Sequence, residues 1–246
     1  ALQLAPDFVA GMTGYVRLLS STGDFDGARQ WLSEVQRKYP RHPLTWLATA
    51  ELEAQRFMAG YISDEQAFEL QAAACERALL LDNDPMRKAE TAERYMALCY
   101  GHTRYGQLTT LADRFLREIP TVSTYLRDRR NSIRAYRLGV MASLRHTEAL
   151  PEFGELAGRN PQNFWLQQRY ARALADNGHF SEAAGVLQTV TDLLKSAGYP
   201  TAVYDAHLAL YRQQAGQSVA VSPPAAWTKT AEGALGEYNG KFMANQ

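Results

Sequence analysis

Five histidines and two cysteines hold most of the metal-binding and nucleophilic potential of this sequence. His42, His102, His146, His179 and His207 are scattered, and none forms HExxH or another two-ligand spacing. Cys75 and Cys99 lack a CxxC arrangement, so zinc has no support from spacing. Cys99 stands three residues before His102, which makes them helical neighbours. A nucleophilic cysteine would need that base and an electropositive setting. Both cysteines instead fall inside apolar helical patterns, as small buried hydrophobes do; a disulfide or metal pair is the alternative. The sequence has no GxSxG, no Walker loop and no GxGxxG after a strand. Carboxylates are plentiful, but spacing alone does not single out an acid/base pair among surface charges. No catalytic residue, metal or cofactor is expected, and the chain reads as a non-enzyme.

The sharpest chemical signal is basic. Arg127, Arg129, Arg130, Arg134 and Arg137 crowd one segment, and Arg130, Arg134 and Arg137 share a face at helical spacing. Arg169 and Arg172 lie further along. Guanidinium forks suit carboxylates, so these arginines could receive an acidic segment or a chain terminus. The competing reading is a solvated face paired to nearby Asp and Glu.

Composition narrows the field. The chain has 246 residues, 46% hydrophobic and 21% charged, which fits a folded protein. Its formal net charge is zero. That argues against a general nucleic-acid binder, which needs excess Lys and Arg, and against a polybasic membrane-surface protein. No stretch approaches the roughly 20 apolar residues of a membrane helix, so direct membrane insertion is not expected. Two cysteines leave the compartment, periplasm or cytoplasm, open.

The positioning elements are helices. Pro6, Pro40, Pro85, Pro120, Pro161 and Pro200 recur at steps of 34, 45, 35, 41 and 39 residues, each between helical runs. Midway between them lies a second punctuation: Gly23-Asp24-Phe25 with Ala28, and Gly178-His179-Phe180 with Ala183. Glycine reverses the chain, a short polar residue caps the next helix, and alanine permits close helix approach. Gly106-Gln107-Leu108 reads as the same turn in the third unit. Met12, Tyr15, Val16 and Leu19 recur at three- and four-residue steps, as do Ala28, Trp31, Leu32 and Val35. Ser63-Asp64-Glu65-Gln66 is a capping box opening a helix that ends at Leu81.

These residues resemble the tetratricopeptide repeat (TPR): glycine and aromatic at the turn, a small residue early in the second helix, a closing proline, and a 34-residue period. Asp7 to Pro40 and Gln162 to Leu194 match best, and the resemblance covers residues 1 to about 216. It implies an all-α, right-handed α-solenoid of antiparallel helix pairs, a TPR-like superhelix of about six repeats. The second unit departs by an insertion of about nine residues near Phe57 to Asp64, judged against the ~34-residue unit. The fourth has an extended first helix from Ser123 and Arg137 where a small residue is usual; the sixth loses its second-helix signature after Gly216.

The resemblance also implies a role. The first helix of each unit would line a concave surface that binds a partner protein or peptide. Its projected inner face holds Thr13 and Arg17, Leu47 and Glu51, Met96 and Tyr100, Arg134 and Leu138, then Gln168, Arg169 and Arg172. Arg17, Glu51, Tyr100, Arg130, Arg134, Arg169 and Arg172 are the candidate partner-binding residues. The lysines and asparagines of the carboxylate-clamp subtype are absent from those positions. The Ala/Arg-rich texture looks like bacterial repeat proteins of envelope, secretion or polysaccharide-export assemblies. The alternatives are a repeat domain of a larger enzyme or regulator, and a self-associating array.

Both ends carry expectations. Ala1 to Pro6 resembles the close of a repeat, so residues 1–216 are expected to start in mid-repeat, as a piece of a longer array. After a linker at 217–222, Ser222-Pro223-Pro224 signals a helix start. Trp227, Ala231, Leu235, Tyr238 and Phe242 would then give residues 223–246 one apolar face, as in a capping helix.

Overall fold

The computed structural model describes residues 8–144, 146 and 148–217. The expected terminal helix at 223–246, the linker beyond Gln217 and the closing turn at Ala1 to Pro6 lie outside the described residues. Among the described residues there are eleven helices and no strand. The chain divides into two compact units, Ala1–Arg137 and Leu138–Gln246.

In unit 1, α1 (Val9–Ser21) pairs with α2 (Phe25–Lys38), α3 (Pro43–Met58) with α4 (Asp64–Leu81), and α5 (Pro85–Gly101) with α6 (Tyr105–Glu118). The residues of α7 (Thr124–Ser143) up to Arg137 complete it. Unit 2 holds the rest of α7, then α8 (Ala149–Gly158), α9 (Phe164–Asp176), α10 (Phe180–Ser196) and α11 (Ala202–Gln214). Here α8 packs on α9, α9 on α10, and α10 on α11.

Turn chemistry makes the pairs. Gly23 has φ +83° and Gly178 +84°, a left-handed conformation that glycine reaches without strain. At each, the next amide reaches back five residues: Asp24 N donates to Leu19 O at 3.0 Å, and His179 N to Leu174 O at 2.9 Å. These are Schellman closures, and they reverse the chain in three residues. The Asp24 side chain then accepts from Gly27 N at 2.9 Å and caps α2. The third pair corrects the sequence reading. Gly106 is not the turn residue but lies inside α6. Thr103 takes the left-handed position, with φ 55°, and Arg104 N closes onto Cys99 O at 2.8 Å.

Helix starts follow the expected rules. Pro43 and Pro85 open α3 and α5, where a missing amide hydrogen costs nothing. His42 and Asp84 cap them by accepting from Leu44 N and Met86 N. Ser63 and Gln66 form the reciprocal capping box of α4, which ends at Leu81 as read from sequence.

Small residues let helices approach. Ala28 is fully buried among Val16, Leu32, Ala48 and Leu52, so α1, α2 and α3 meet at one point. Trp31 closes this core, donating from Nε1 to Met12 O at 3.1 Å with Tyr15 edge-on to its ring. In unit 2 Ala171, Ala184, Leu187, Val190, Leu194, Tyr204 and Leu208 make the equivalent cluster. Cys75 and Cys99 are buried free thiols within unit 1, in keeping with their apolar sequence context.

Polar staples fix the joints between pairs. At the α4–α5 joint the buried Asp82 carboxylate accepts from Arg87 Nε at 2.9 Å, Arg87 Nη2 at 3.0 Å and Asp84 N at 2.9 Å. At the α6–α7 joint Arg130 Nη1 donates to Ile119 O at 2.6 Å and also to Leu116 O. Arg137, where a small residue is usual, reaches across to Asp113 on α6 at 2.8 Å.

Candidate functional site

The first helices of unit 1 are cross-linked at the repeat period. Arg17 on α1 donates to Glu51 on α3 from Nε at 2.9 Å and Nη2 at 3.1 Å, 34 residues apart. Arg94 on α5 donates to the same carboxylate from Nη1 at 3.0 Å, 43 residues on. At the α5–α7 seam Arg129 donates to Glu93 at 2.5 Å and Tyr125 donates to Glu90. Further along α5, Tyr100 meets Tyr105 of α6 at 6.0 Å and packs edge-on against Tyr136 of α7 at 5.8 Å between ring centroids. α1, α3, α5 and the start of α7 therefore share one face bearing guanidinium, carboxylate and phenol groups.

Local chemistry tunes this face. Burial disfavours the Arg129 cation, but the Glu93 carboxylate outweighs it and raises the guanidinium above its ordinary value. Burial and the Glu90 contact both raise the Tyr125 phenol, so that hydroxyl stays a donor. The Arg129 guanidinium also lies 4.9 Å from the Tyr125 ring centroid.

The structure places the expected residues unevenly. Arg17 and Glu51 lie on the shared face, while Tyr100 is half-buried further along α5 with its ring against Tyr105 of α6 and the buried Tyr136 of α7. Arg134 is an exposed residue of α7 within unit 1. Arg130 directs Nη1 at carbonyls at the end of α6. Three projected groove positions, Thr13, Met96 and Leu138, are buried in the core. In unit 2 the Arg169 guanidinium lies 4.4 Å over the Trp165 ring, and Arg172 Nε is 3.9 Å from Asp176 Oδ2 one turn along α9. Gln168 on the same helix is half-buried.

Sequence reasoning missed Arg94, Glu90, Glu93, Tyr125 and Arg129 as face residues. The signal for Arg94 was present. A 34-residue step from Glu51, lengthened by the nine-residue insertion already visible in the second unit, lands on Arg94 and not on Met96.

The histidines serve local structure. His102 at the end of α5 sits against Phe57 and Phe68, with Nδ1 2.8 Å from Asp64 Oδ1 but offset from hydrogen-bond geometry. His179 contacts Glu182 and His207 contacts Val203 O. Among the described residues no group of three or more His, Cys, Asp or Glu side chains could hold a metal ion, and no helix is long and apolar enough to cross a membrane.

Residues 141–196 match the sequence model described as "Tetratricopeptide repeat". No curated protein matches the chain. Solved structures do. The chain is similar to a variant crystal structure of nearly identical TPR-like repeats from a putative kinesin light chain of Podosopora anserina, at 13% identity and TM-score 0.56, covering 79% of this chain and 98% of that one. A second structure of those repeats matches at 13% identity and TM-score 0.53, over 76% and 96% of the two chains. YrrB, described as a TPR protein with an unusual peptide-binding site, matches at 12% identity and TM-score 0.54, over 87% of this chain and 96% of its own. At these identities the structural likenesses speak for the fold. Residues 141–196 thus carry a tetratricopeptide-repeat pattern, and the helix pairs with their Schellman turns give the described residues a fold similar to that of tetratricopeptide-repeat proteins.

Proposed function

We propose that the first-helix face of unit 1 holds an extended acidic segment of a partner protein, and that the chain acts as a non-catalytic scaffold. The observation that carries this reading is the run of side chains from Arg17 through Glu51 and Arg94, with Tyr100 further along α5. It spans successive repeats on one kind of helix, which is how a repeat array presents an extended binding surface. Arginine supplies carboxylate recognition and tyrosine supplies rigid contact area. Arg134 is a further candidate contact of this face, and Arg169 and Arg172 are candidate contacts of unit 2 taken by itself. YrrB, a protein of similar fold, is described as having a peptide-binding site, which supports a peptide as the kind of partner. An envelope, secretion or polysaccharide-export assembly is the setting suggested by the sequence texture.

Selection of random twelve-residue peptides against the full chain tests the reading. The chosen peptides should be rich in Asp and Glu. They should lose at least about tenfold in affinity to Arg94→Glu or Tyr100→Ala, the scale of a binding hot spot. They should keep their affinity for Arg29→Glu on α2 and Arg117→Glu on α6. Equal loss from both sets would refute the face.

Self-association is a second reading. Phe8 just before α1, and Tyr15 and Leu18 on it, are exposed apolar residues. Light scattering should then show concentration-dependent growth that Leu18→Glu abolishes; growth unaffected by that change would remove the reading.

A further inference from the structure

We propose that Glu51 is an internal stand-in for a partner carboxylate, and that Arg17 and Arg94 form the subsite an acidic side chain of the bound segment would enter. This rests on the acidic-segment reading above and adds where the acid binds and what it must displace.

The charge balance points there. One carboxylate is shared by two guanidiniums, each from a different repeat. Neighbouring ion pairs of unit 1 are balanced or acid-rich. Arg114 is met by both Glu76 and Glu118, and Arg87 by both Asp82 and Asp84. Arg56 has Glu53, Arg104 has Glu65, and Arg137 has Asp113. The Glu51 group alone of these carries one surplus positive charge.

Exposure agrees with an open subsite. The Arg17 and Arg94 side chains are 68% and 43% exposed, whereas Glu51 is 25% exposed between them. A guanidinium has five N–H donors. Arg17 directs Nε and Nη2 at Glu51, and Arg94 directs Nη1. Donors remain on both for a second carboxylate. Exposed ion pairs of this kind are weak, so Glu51 can yield without unfolding the array. Its charge nevertheless opposes an incoming carboxylate at contact distance.

The test uses the full chain and a blocked tetraglutamate peptide, acetylated and amidated so that only side-chain carboxylates are present. Affinity is read by isothermal titration calorimetry at low salt. Glu51→Gln keeps the shape and removes the competing charge, and should tighten binding by about three- to tenfold. Arg17→Gln and Arg94→Gln should each weaken it by a similar factor. Glu65→Gln makes the same change in net charge on α4 and should leave affinity within about twofold. Thermal melts accompany every variant. If Glu51→Gln melts early, Glu51→Met, neutral and of similar size, repeats the comparison.

Equal or weaker binding by the neutral Glu51 variant would overturn the proposal, as would an equal gain from Glu65→Gln. The two readings fail separately. Selected peptides that still depend on Tyr100 while tetraglutamate ignores Glu51 would leave the face standing and remove the stand-in. Selected peptides indifferent to both Arg94 and Tyr100 would remove the face as well.

Discussion

Replacing Asp82 by Asn should loosen the joint between the second and third helix pairs. Asp82 is 2% exposed and accepts three hydrogen bonds, two from the Arg87 fork and one from Asp84 N. Asn keeps the shape and can still accept from the Asp84 amide, but its amide group meets the guanidinium with a donor. Each bond to a charged partner contributes about 1.5–3 kcal/mol when buried. The Arg87 side chain is 47% exposed and regains water when released, so the loss belongs at the low end. The net cost should be about 2 kcal/mol, or a melting temperature lower by about 4–8 °C for a chain of this size. Acidity supplies a second check. Burial alone would raise the Asp82 carboxyl, but the Arg87 and Asp84 bonds outweigh it and hold it below its ordinary 3.8. A carboxyl depressed in the folded state adds stability above the unfolded value and loses it as pH falls through the folded value. The gap between wild type and Asp82→Asn should therefore be full at pH 7 and close below about pH 3.8. Denaturant melts of both proteins across that range measure it. A cost under about 0.5 kcal/mol at pH 7, or a gap that widens on acidification, would refute the staple.

Two further outcomes follow from local geometry. Thr103 is a β-branched residue at φ 55°, so Thr103→Gly should relieve strain of about 1–2 kcal/mol against a glycine entropy cost of about 0.5–1 kcal/mol. A melt should show a small gain, about 0.5–1 kcal/mol, and a destabilised variant would contradict the turn assignment. Burial pushes the Cys75 and Cys99 thiols up to about 12, so neither should react with Ellman's reagent at pH 8 until the protein unfolds. Labelling of either at the rate of an exposed cysteine would show that core to be open.

How far the sequence spoke depended on whether a local rule or a distant neighbour decided the outcome. The Ser63 capping box, the Gly23 and Gly178 turns and the helix boundary at Pro85 are local, and the structure has each where the residues place it. Ser123 likewise accepts from Leu126 N at the start of the long α7. Thr103 was hidden because no sequence rule announces a β-branched residue in a left-handed turn, and nearby Gly106 drew the assignment instead. The face was half visible. Arg17 and Glu51 stand one 34-residue period apart, but the insertion in the second unit moved the next partner from Met96 to Arg94. Met96 and Leu138 point inward because helix rotation is set by core packing against neighbouring helices, which a projected face does not contain. Arg130 belongs to a basic cluster in sequence, yet carbonyls at the end of α6 engage it; only the fold brings those carbonyls near.

The most direct measurement is crosslink mapping of a bound acidic peptide. A selected peptide carrying benzoylphenylalanine at successive positions is irradiated on the full chain, and the joined residues are identified by mass spectrometry. Crosslinks on α1, α3, α5 and α7, clustered around Arg17, Glu51, Arg94 and Tyr100, are the predicted result. Crosslinks concentrated on α2, α4 and α6 would contradict the binding face proposed for this protein.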